Sequence, residues 1–121
     1  MGKITKKQHI LIVEDEGDIC LILNLMLKND DVEIEHVNSL AKTTTYLQDN
    51  KPDVVILDNQ LPDGLGIDFI ATIKAQYPAI KIIMITGNAA DNVQQQALAN
   101  GAHVFLAKPF TKEQILQALA S

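Results

Sequence analysis

The chain contains no arginine. Its 10 basic residues are all lysines, set against 15 acidic ones, for a formal charge of −5 over 121 residues. A nucleic-acid reader of this size carries a basic face with guanidinium forks for phosphate and guanine. Neither is present, so direct nucleic-acid binding is not expected. Cysteine is nearly absent: Cys20 stands alone, so no disulfide can close within the chain and no thiolate metal cluster can form. Long apolar runs are also missing. The N-terminal "MGKITKKQHILIV" has the basic start of an export signal, but its apolar run lasts only from Ile10 to Val13 before three acids interrupt it. No run approaches membrane-spanning length, and a soluble, cytoplasmic protein is expected. Linker-like and low-complexity stretches are lacking, as are repeats of roughly 20 to 50 residues. With 47% apolar residues, disorder is excluded. The length suits one domain with a real core: a single unit over 1–121, with residues 1–8 a short N-terminal extension and no second, output domain.

What is present is an alternation of strand and helix patterns. His9–Val13 reads as a short apolar strand and Asp18 to about Asn29 as a helix. Val32–Val37 alternates as an edge strand with one wet face. Ser39 caps a weak helix to about Gln48, weakened by Thr43, Thr44 and Thr45. Asp53–Leu57 is a strand, and Gly66 to about Gln76 a helix stopped before Pro78. Ile80–Ile85 is a strand, Ala89–Asn100 a helix ended by Gly101, and Ala102–Ala107 a strand. Thr111 caps a last helix with Gln114 at the capping-box position. Five βα units, with runs such as Val54–Leu57 and Ile82–Ile85 apolar throughout, predict an α/β fold, a doubly wound parallel sheet covered on both faces. In such sheets function collects at the carboxyl ends of the strands.

Five positions follow predicted strand ends: Glu14 and Asp15, Asp58, Thr86, and Lys108. If strands one and three are neighbours, three carboxylates converge and raise one another's pKa unless a cation sits among them. A hard divalent ion, Mg²⁺ above all, suits oxygen ligands of this kind. With the Thr86 hydroxyl and the Lys108 charge, the set suits a phosphoryl group arriving on a carboxylate. Glu16 reads as a solvated or helix-dipole acid. His9, His36 and His103 have no metal-ligand spacing and read as structural.

In "ILIVEDE", "VVILDNQLPDG", "IMITG" and "GAHVFLAKPF", taken in this order, the chain resembles the receiver domain of bacterial two-component response regulators over essentially its whole length. The resemblance implies a flavodoxin-like (βα)5 sheet of strand order 2-1-3-4-5 and a phosphorylation-activated switch, not an enzyme with a separate substrate. It implies Asp58 as phosphoacceptor, Asp15 as direct Mg²⁺ ligand with Glu14 its acidic partner, and the Gln60 backbone carbonyl as a further ligand. Thr86 and Lys108 correspond to the phosphoryl-binding pair, and Phe105 to the aromatic that turns inward on activation. The Lys108–Pro109 bond is expected to be cis. Gln60 and Asn88 match positions that tune the phosphoryl lifetime. The implied partner is a sensor histidine kinase or histidine phosphotransfer protein. A monomer or weak dimer is expected, since members that dimerise through their fourth and fifth helices use acid–Arg pairs.

Two other classes share parts of this pattern. An aspartyl phosphatase or mutase carries a second Asp two residues after its nucleophile, where this chain has Gln60. A flavodoxin-type electron carrier needs a hydroxyl-rich phosphate loop after strand one, and "EDEG" would repel the phosphate.

The first helix, "DICLILNLMLK", is apolar nearly all round. Its spacing predicts Ile19, Ile22, Leu25 and Met26 against the sheet, with Leu23 at the margin and Cys20, Leu21 and Leu27 pointing away. A neighbour such as the fifth helix would account for an apolar outer face. The resemblance offers a second account, in which Cys20 and Leu21 dock the phosphodonor and Leu27 is incidental.

Overall fold

Five of the apolar runs become the five strands of one parallel sheet. The structure, a computed structural model, describes residues 7–87 and 91–121. Its elements run β1 (Gln8–Val13), α1 (Gly17–Leu27), β2 (Val32–Val37), α2 (Leu40–Asp49), β3 (Val54–Asp58), β4 (Gln60–Leu61), β5 (Gly64–Leu65), α3 (Gly66–Gln76), β6 (Lys81–Thr86), α4 (Asp91–Asn100), β7 (Val104–Ala107) and α5 (Lys112–Ala120). The sheet order is β2-β1-β3-β6-β7, all pairs parallel. This is the expected 2-1-3-4-5 order. The numbering shifts only because a two-residue antiparallel hairpin, β4–β5, intervenes; its four residues are too few to leave a periodic signal. Strand and helix limits otherwise fall within about two residues of the sequence reading, the ordinary scatter of element ends. Residues 88–90, including Asn88 and the predicted helix start at Ala89, lie outside the described residues.

Strand alternation divides the core between two faces. Leu11, Val13, Val55, Leu57, Ile82 and Met84 pack with α2, α3 and α4 residues such as Leu47, Ile70, Ile73 and Ala97. Ile10, Ile12, Val54, Ile56, Ile83 and Ile85 pack with Cys20, Leu23 and Leu27 of α1 and with Ile115 and Ala118 of α5. Hence β1, β3 and β6 carry no polar face: both sides are covered. The β2 edge is half wet, with Glu33 and Glu35 exposed between Val32, Ile34 and Val37. The local signals act as read. Ser39 Oγ accepts from Lys42 N at 3.1 Å, and Thr111 and Gln114 form a reciprocal capping box. Gly101, at φ +119, ends α4 in a conformation L side chains rarely adopt. Among the described residues no helix is long and apolar enough to cross a membrane.

The α1 face expectation is corrected. Cys20, Leu23 and Leu27 are buried, Ile19 and Met26 partly so. Leu21, Ile22 and Leu25 are 60%, 41% and 68% exposed. The buried stripe is rotated by roughly 100°, one residue, from that expected. Only Asn24 interrupts the apolar run from Ile19 to Leu27, so the pattern has too little contrast to fix a direction. Packing against the sheet and α5 decides it instead. Cys20 is therefore withdrawn from the outer face and cannot present its side chain to a partner there.

Gly66, the first residue of α3, marks where this helix is pressed against the end of β3. A Cβ placed there would lie 2.2 Å from the Asp58 carbonyl oxygen and 3.0 Å from the Leu57 side chain. Because the obstacle is backbone, relief requires moving the helix or the strand end. Gly66→Ala is expected to cost about 3 kcal/mol in urea denaturation, the upper end for overpacking. Gly17→Ala, with nothing within 4 Å of its Cβ, is the control and should be neutral or slightly stabilising. Equal behaviour of the two variants would contradict the close approach.

Candidate functional site

The carboxyl ends of β1, β3, β6 and β7 meet at one edge of the sheet. The β1–β3 pairing aligns Val13 with Leu57, which brings Glu14 beside Asp58. The β3–β6 pairing aligns Asp58 with Ile85, so Thr86 follows one residue further on. The Lys108 backbone N–H donates to the Thr86 carbonyl at 2.8 Å, extending the β6–β7 ladder past its last pair. Glu14, Asp58 and Thr86 are all buried, Glu14 completely.

Lys108 stands in the middle. Its Nζ is 2.9 Å from Glu14 Oε1, 3.2 Å from Asp58 Oδ1 and 3.5 Å from Glu16 Oε1. The carboxylate oxygens of Glu14, Glu16 and Asp58 lie within 4.8 Å of one another. Burial, then the neighbouring Asp58 carboxylate, which favours the protonated form of Glu14, pushes Glu14 up to about 7, against the pull of Lys108. Burial pulls the Lys108 ammonium down, but Glu14 and Asp58 outweigh it and its pKa is raised. Glu14 Oε2 is buried with no hydrogen-bond partner, in a cluster of three carboxylates and one ammonium.

The expected residues are thus mostly brought together, with differences. Asp15 is exposed and lies outside the trio, whereas Glu16, read from the sequence as a solvated acid, is within it. Glu16 is the N-cap residue of α1, exposed, with its Oε1 at the outer end of the Lys108 contacts. Gln60 is exposed on β4, two residues after Asp58. Phe105 is half-buried against the α2–α4 side of the sheet. The Lys108–Pro109 bond is cis.

Other residues support the site without having been singled out for it in the sequence. Asn59 is buried: its backbone N–H donates to the Ile85 carbonyl at 3.1 Å, its carbonyl accepts from Gly66 N at 2.7 Å, and its Oδ1 accepts from Ile67 N at 2.9 Å. Asp63, at the hairpin turn, accepts the Leu40 and Ala41 N–H groups at 2.9 Å each. Those bonds hold its carboxyl below the usual range. Together they tie the segment after Asp58 to the N-termini of α3 and α2. His36 and Cys20 meet behind Glu14. Burial, then the surrounding carboxylates, pushes the Cys20 thiol up to about 11, so it is a protonated thiol at neutral pH.

The chain is similar to known proteins over nearly its whole length. Residues 10–120 match the family described as "Response regulator receiver domain". The chain is 35% identical over 102 residues to the KDP operon transcriptional regulatory protein KdpE of Escherichia coli, covering 84% of this chain and 45% of that protein. It is 32% identical over 112 residues to the chemotaxis protein CheY of Listeria monocytogenes, covering 91% and 93%. It spans about half the length of the KdpE relatives. Among solved structures, the beryllofluoride-activated NtrC4 receiver domain dimer superimposes with a TM-score of 0.87 at 30% identity, over 93% of each chain. A CheY-like receiver domain from Methanospirillum hungatei gives 0.88 at 23% identity over 95% and 92%, a likeness of fold. By family match and relatives alike, the chain belongs to the response regulator receiver domains, the phosphoacceptor switches of two-component signalling.

Proposed function

We propose that Asp58 takes the phosphoryl group, from a sensor histidine kinase or a histidine phosphotransfer protein. In this reading Mg²⁺ is held beside it by Glu14, Asp15, Asp58 and the Gln60 carbonyl. One observation carries the reading: buried carboxylates converge on a single ammonium, and Glu14 Oε2 has no partner. The donor set is all oxygen, which suits a hard divalent cation that keeps several waters. When bound, Mg²⁺ supplies positive charge to offset the phosphoryl oxygens. Asp15 is kept as a ligand on the family pattern, with Glu16 the rival third carboxylate.

The chain's own residues do the rest. An Asp58 carboxylate oxygen forms the new P–O bond as the donor's P–N bond breaks, and the released imidazole nitrogen takes up a proton. Lys108, 3.2 Å from Asp58 Oδ1, exchanges part of its carboxylate pairing for the phosphoryl oxygens. Thr86, at the adjacent strand end, contacts one of those oxygens through its hydroxyl. Phe105 and the Lys108–Thr86 backbone bond carry the change into β7. Gln60 cannot act as the acid/base of a phosphatase, so the chain acts only on its own phosphorylation and dephosphorylation.

The donor docks on the exposed α1 face. Leu21, Ile22 and Leu25 form an apolar patch bordered by Asp18, Asn24 and Lys28, as a helix-docking surface requires. Leu21 lies about one turn along α1 from the acidic edge. Cys20, buried beneath, is not part of it.

Three tests follow from this reading. Incubation with Mg²⁺ and a small acyl or amidate phosphodonor should add one labile acyl phosphate, absent in Asp58→Asn; labelling that survives the substitution moves the site elsewhere. Leu21→Glu should slow transfer from a protein donor at least tenfold and leave small-donor labelling unchanged. Equal loss in both assays would indicate damage to the fold, and no loss would place docking elsewhere.

The metal test uses stability. Glu14 has a folded pKa near 7 above its unfolded value, so the folded state holds a proton that the unfolded state has lost. The metal-free protein should therefore lose stability relative to Glu14→Gln as pH rises from about 4.5 past 7. Mg²⁺ should restore it at pH 8 and do little at pH 5. Asp15→Asn should abolish the Mg²⁺ effect and Glu16→Gln spare it. The reverse result makes Glu16 the ligand.

A further inference from the structure

Glu14 is gripped from three sides. Its backbone N–H donates to the Val37 carbonyl at 3.1 Å, and its Oε1 accepts from Lys108. Its carbonyl oxygen is held by two side chains from different elements. His36 Nε2 is 2.7 Å from that oxygen, and the Cys20 thiol donates to it at 3.5 Å. Both arrive by simple geometry. On β2, Val32, Ile34 and His36 share the face that α1 covers, since side chains alternate along a strand. On α1, Cys20 is one turn in and belongs to the buried stripe. A carbonyl oxygen has two lone pairs and can accept from both. Of Glu14's four polar atoms, only Oε2 is left without a partner.

The Sγ–Nε2 distance is 2.9 Å. Two such atoms bound to one zinc ion would stand roughly 3.6 Å apart, given tetrahedral angles and ordinary bond lengths. With both hydrogens directed at the carbonyl and the two atoms too close to share a zinc ion, they do not form a preformed soft-metal site.

We propose that His36, backed by Cys20, is a positioning residue for the acidic site: by holding the Glu14 carbonyl it fixes the peptide plane between Glu14 and Asp15, and with it the directions in which both carboxylates leave β1. This rests on the reading that these acids bind Mg²⁺. Strand β1 ends at Val13 and α1 begins only at Gly17. Without the carbonyl clamp, the peptide between them is free to turn and spread the carboxylates. Outer partners of this kind commonly contribute 10- to 100-fold to metal affinity.

The experiment uses the full chain, isotopically labelled, with Mg²⁺ alone as the probe. His36 is exposed, so its replacement leaves the core in place, which a thermal melt checks. His36→Phe should weaken Mg²⁺ binding about tenfold in a calorimetric titration. In the metal-free protein it should shift the Glu14 carbonyl carbon resonance upfield, as expected when a carbonyl loses a hydrogen bond. His36→Gln, whose amide N–H can still donate, should recover most of both. Unchanged Mg²⁺ affinity in His36→Phe overturns the proposal, as does a Gln variant no better than Phe. A wild-type chain that binds no Mg²⁺ defeats the metal reading and this inference with it, a result visible without any variant.

Discussion

Everything at the functional edge depends on the placement of two buried carboxylates, Glu14 and Asp58, around one ammonium. An uncompensated buried charge costs several kcal/mol, and Lys108 offsets part of that for both acids at once. Two features show that the compensation is incomplete: Glu14 is driven to a pKa near 7, and its second oxygen has no partner. A carboxyl that can take up a proton limits the penalty, since it neutralises before the fold breaks. The same group, deprotonated, is ready for a cation.

The fold can carry this strain because of what lies behind it. Strands β1, β3 and β6 are apolar on both faces, and every residue of β3 is buried. The segment after Asp58 is tied down by Asn59 to β6 and α3, by Asp63 to α2, and by the close seat of Gly66. The acids therefore stand on a support with few ways to relax. This is the condition for holding carboxylate oxygens within 4.8 Å of one another without the strand ends simply parting.

The sequence made the fold legible wherever residue type and spacing act locally. All-apolar runs bounded by turn residues located the five strands, and Ser39, Thr111 and Gly101 behaved as caps because capping chemistry needs only near neighbours. The motifs at strand ends gave Glu14, Asp58, Thr86 and Lys108, since parallel pairing brings strand ends together whatever the register details. The α1 face was not legible: with a single Asn among nine residues, direction was left to tertiary packing. The β4–β5 hairpin was too short to show a period. The roles of Asn59, Asp63 and His36 were hidden because each acts through hydrogen bonds to backbone groups of other elements, links that leave no pattern in the chain. Glu16 is, as read, a solvated acid at the N-terminus of α1; what stayed hidden is its ion pair. The sequence shows it beside two other acids, but only the fold shows that Lys108 reaches all the way to it.

Lys108 also sets how the site can signal. Its side chain is shared among Glu14, Asp58 and Glu16, while its backbone N–H closes the ladder onto Thr86. In the proposed function a phosphoryl group on Asp58 would replace one negative charge with roughly two, and a single ammonium cannot satisfy the new oxygens and the two remaining carboxylates together. Its side chain would then have to redistribute, and because its backbone is bonded to the end of β6, the adjustment would act on β6 and β7 jointly. Phe105 lies three residues back on β7, opposite Met84 of β6, half-buried against the α4 side. A half-buried aromatic on an edge strand has room to move in either direction, unlike the closed core beneath it. In the proposed function the closely packed centre of the sheet would thus leave β7 and the helices beside it to answer a change of charge at Asp58, and the response would be directed by where packing is incomplete.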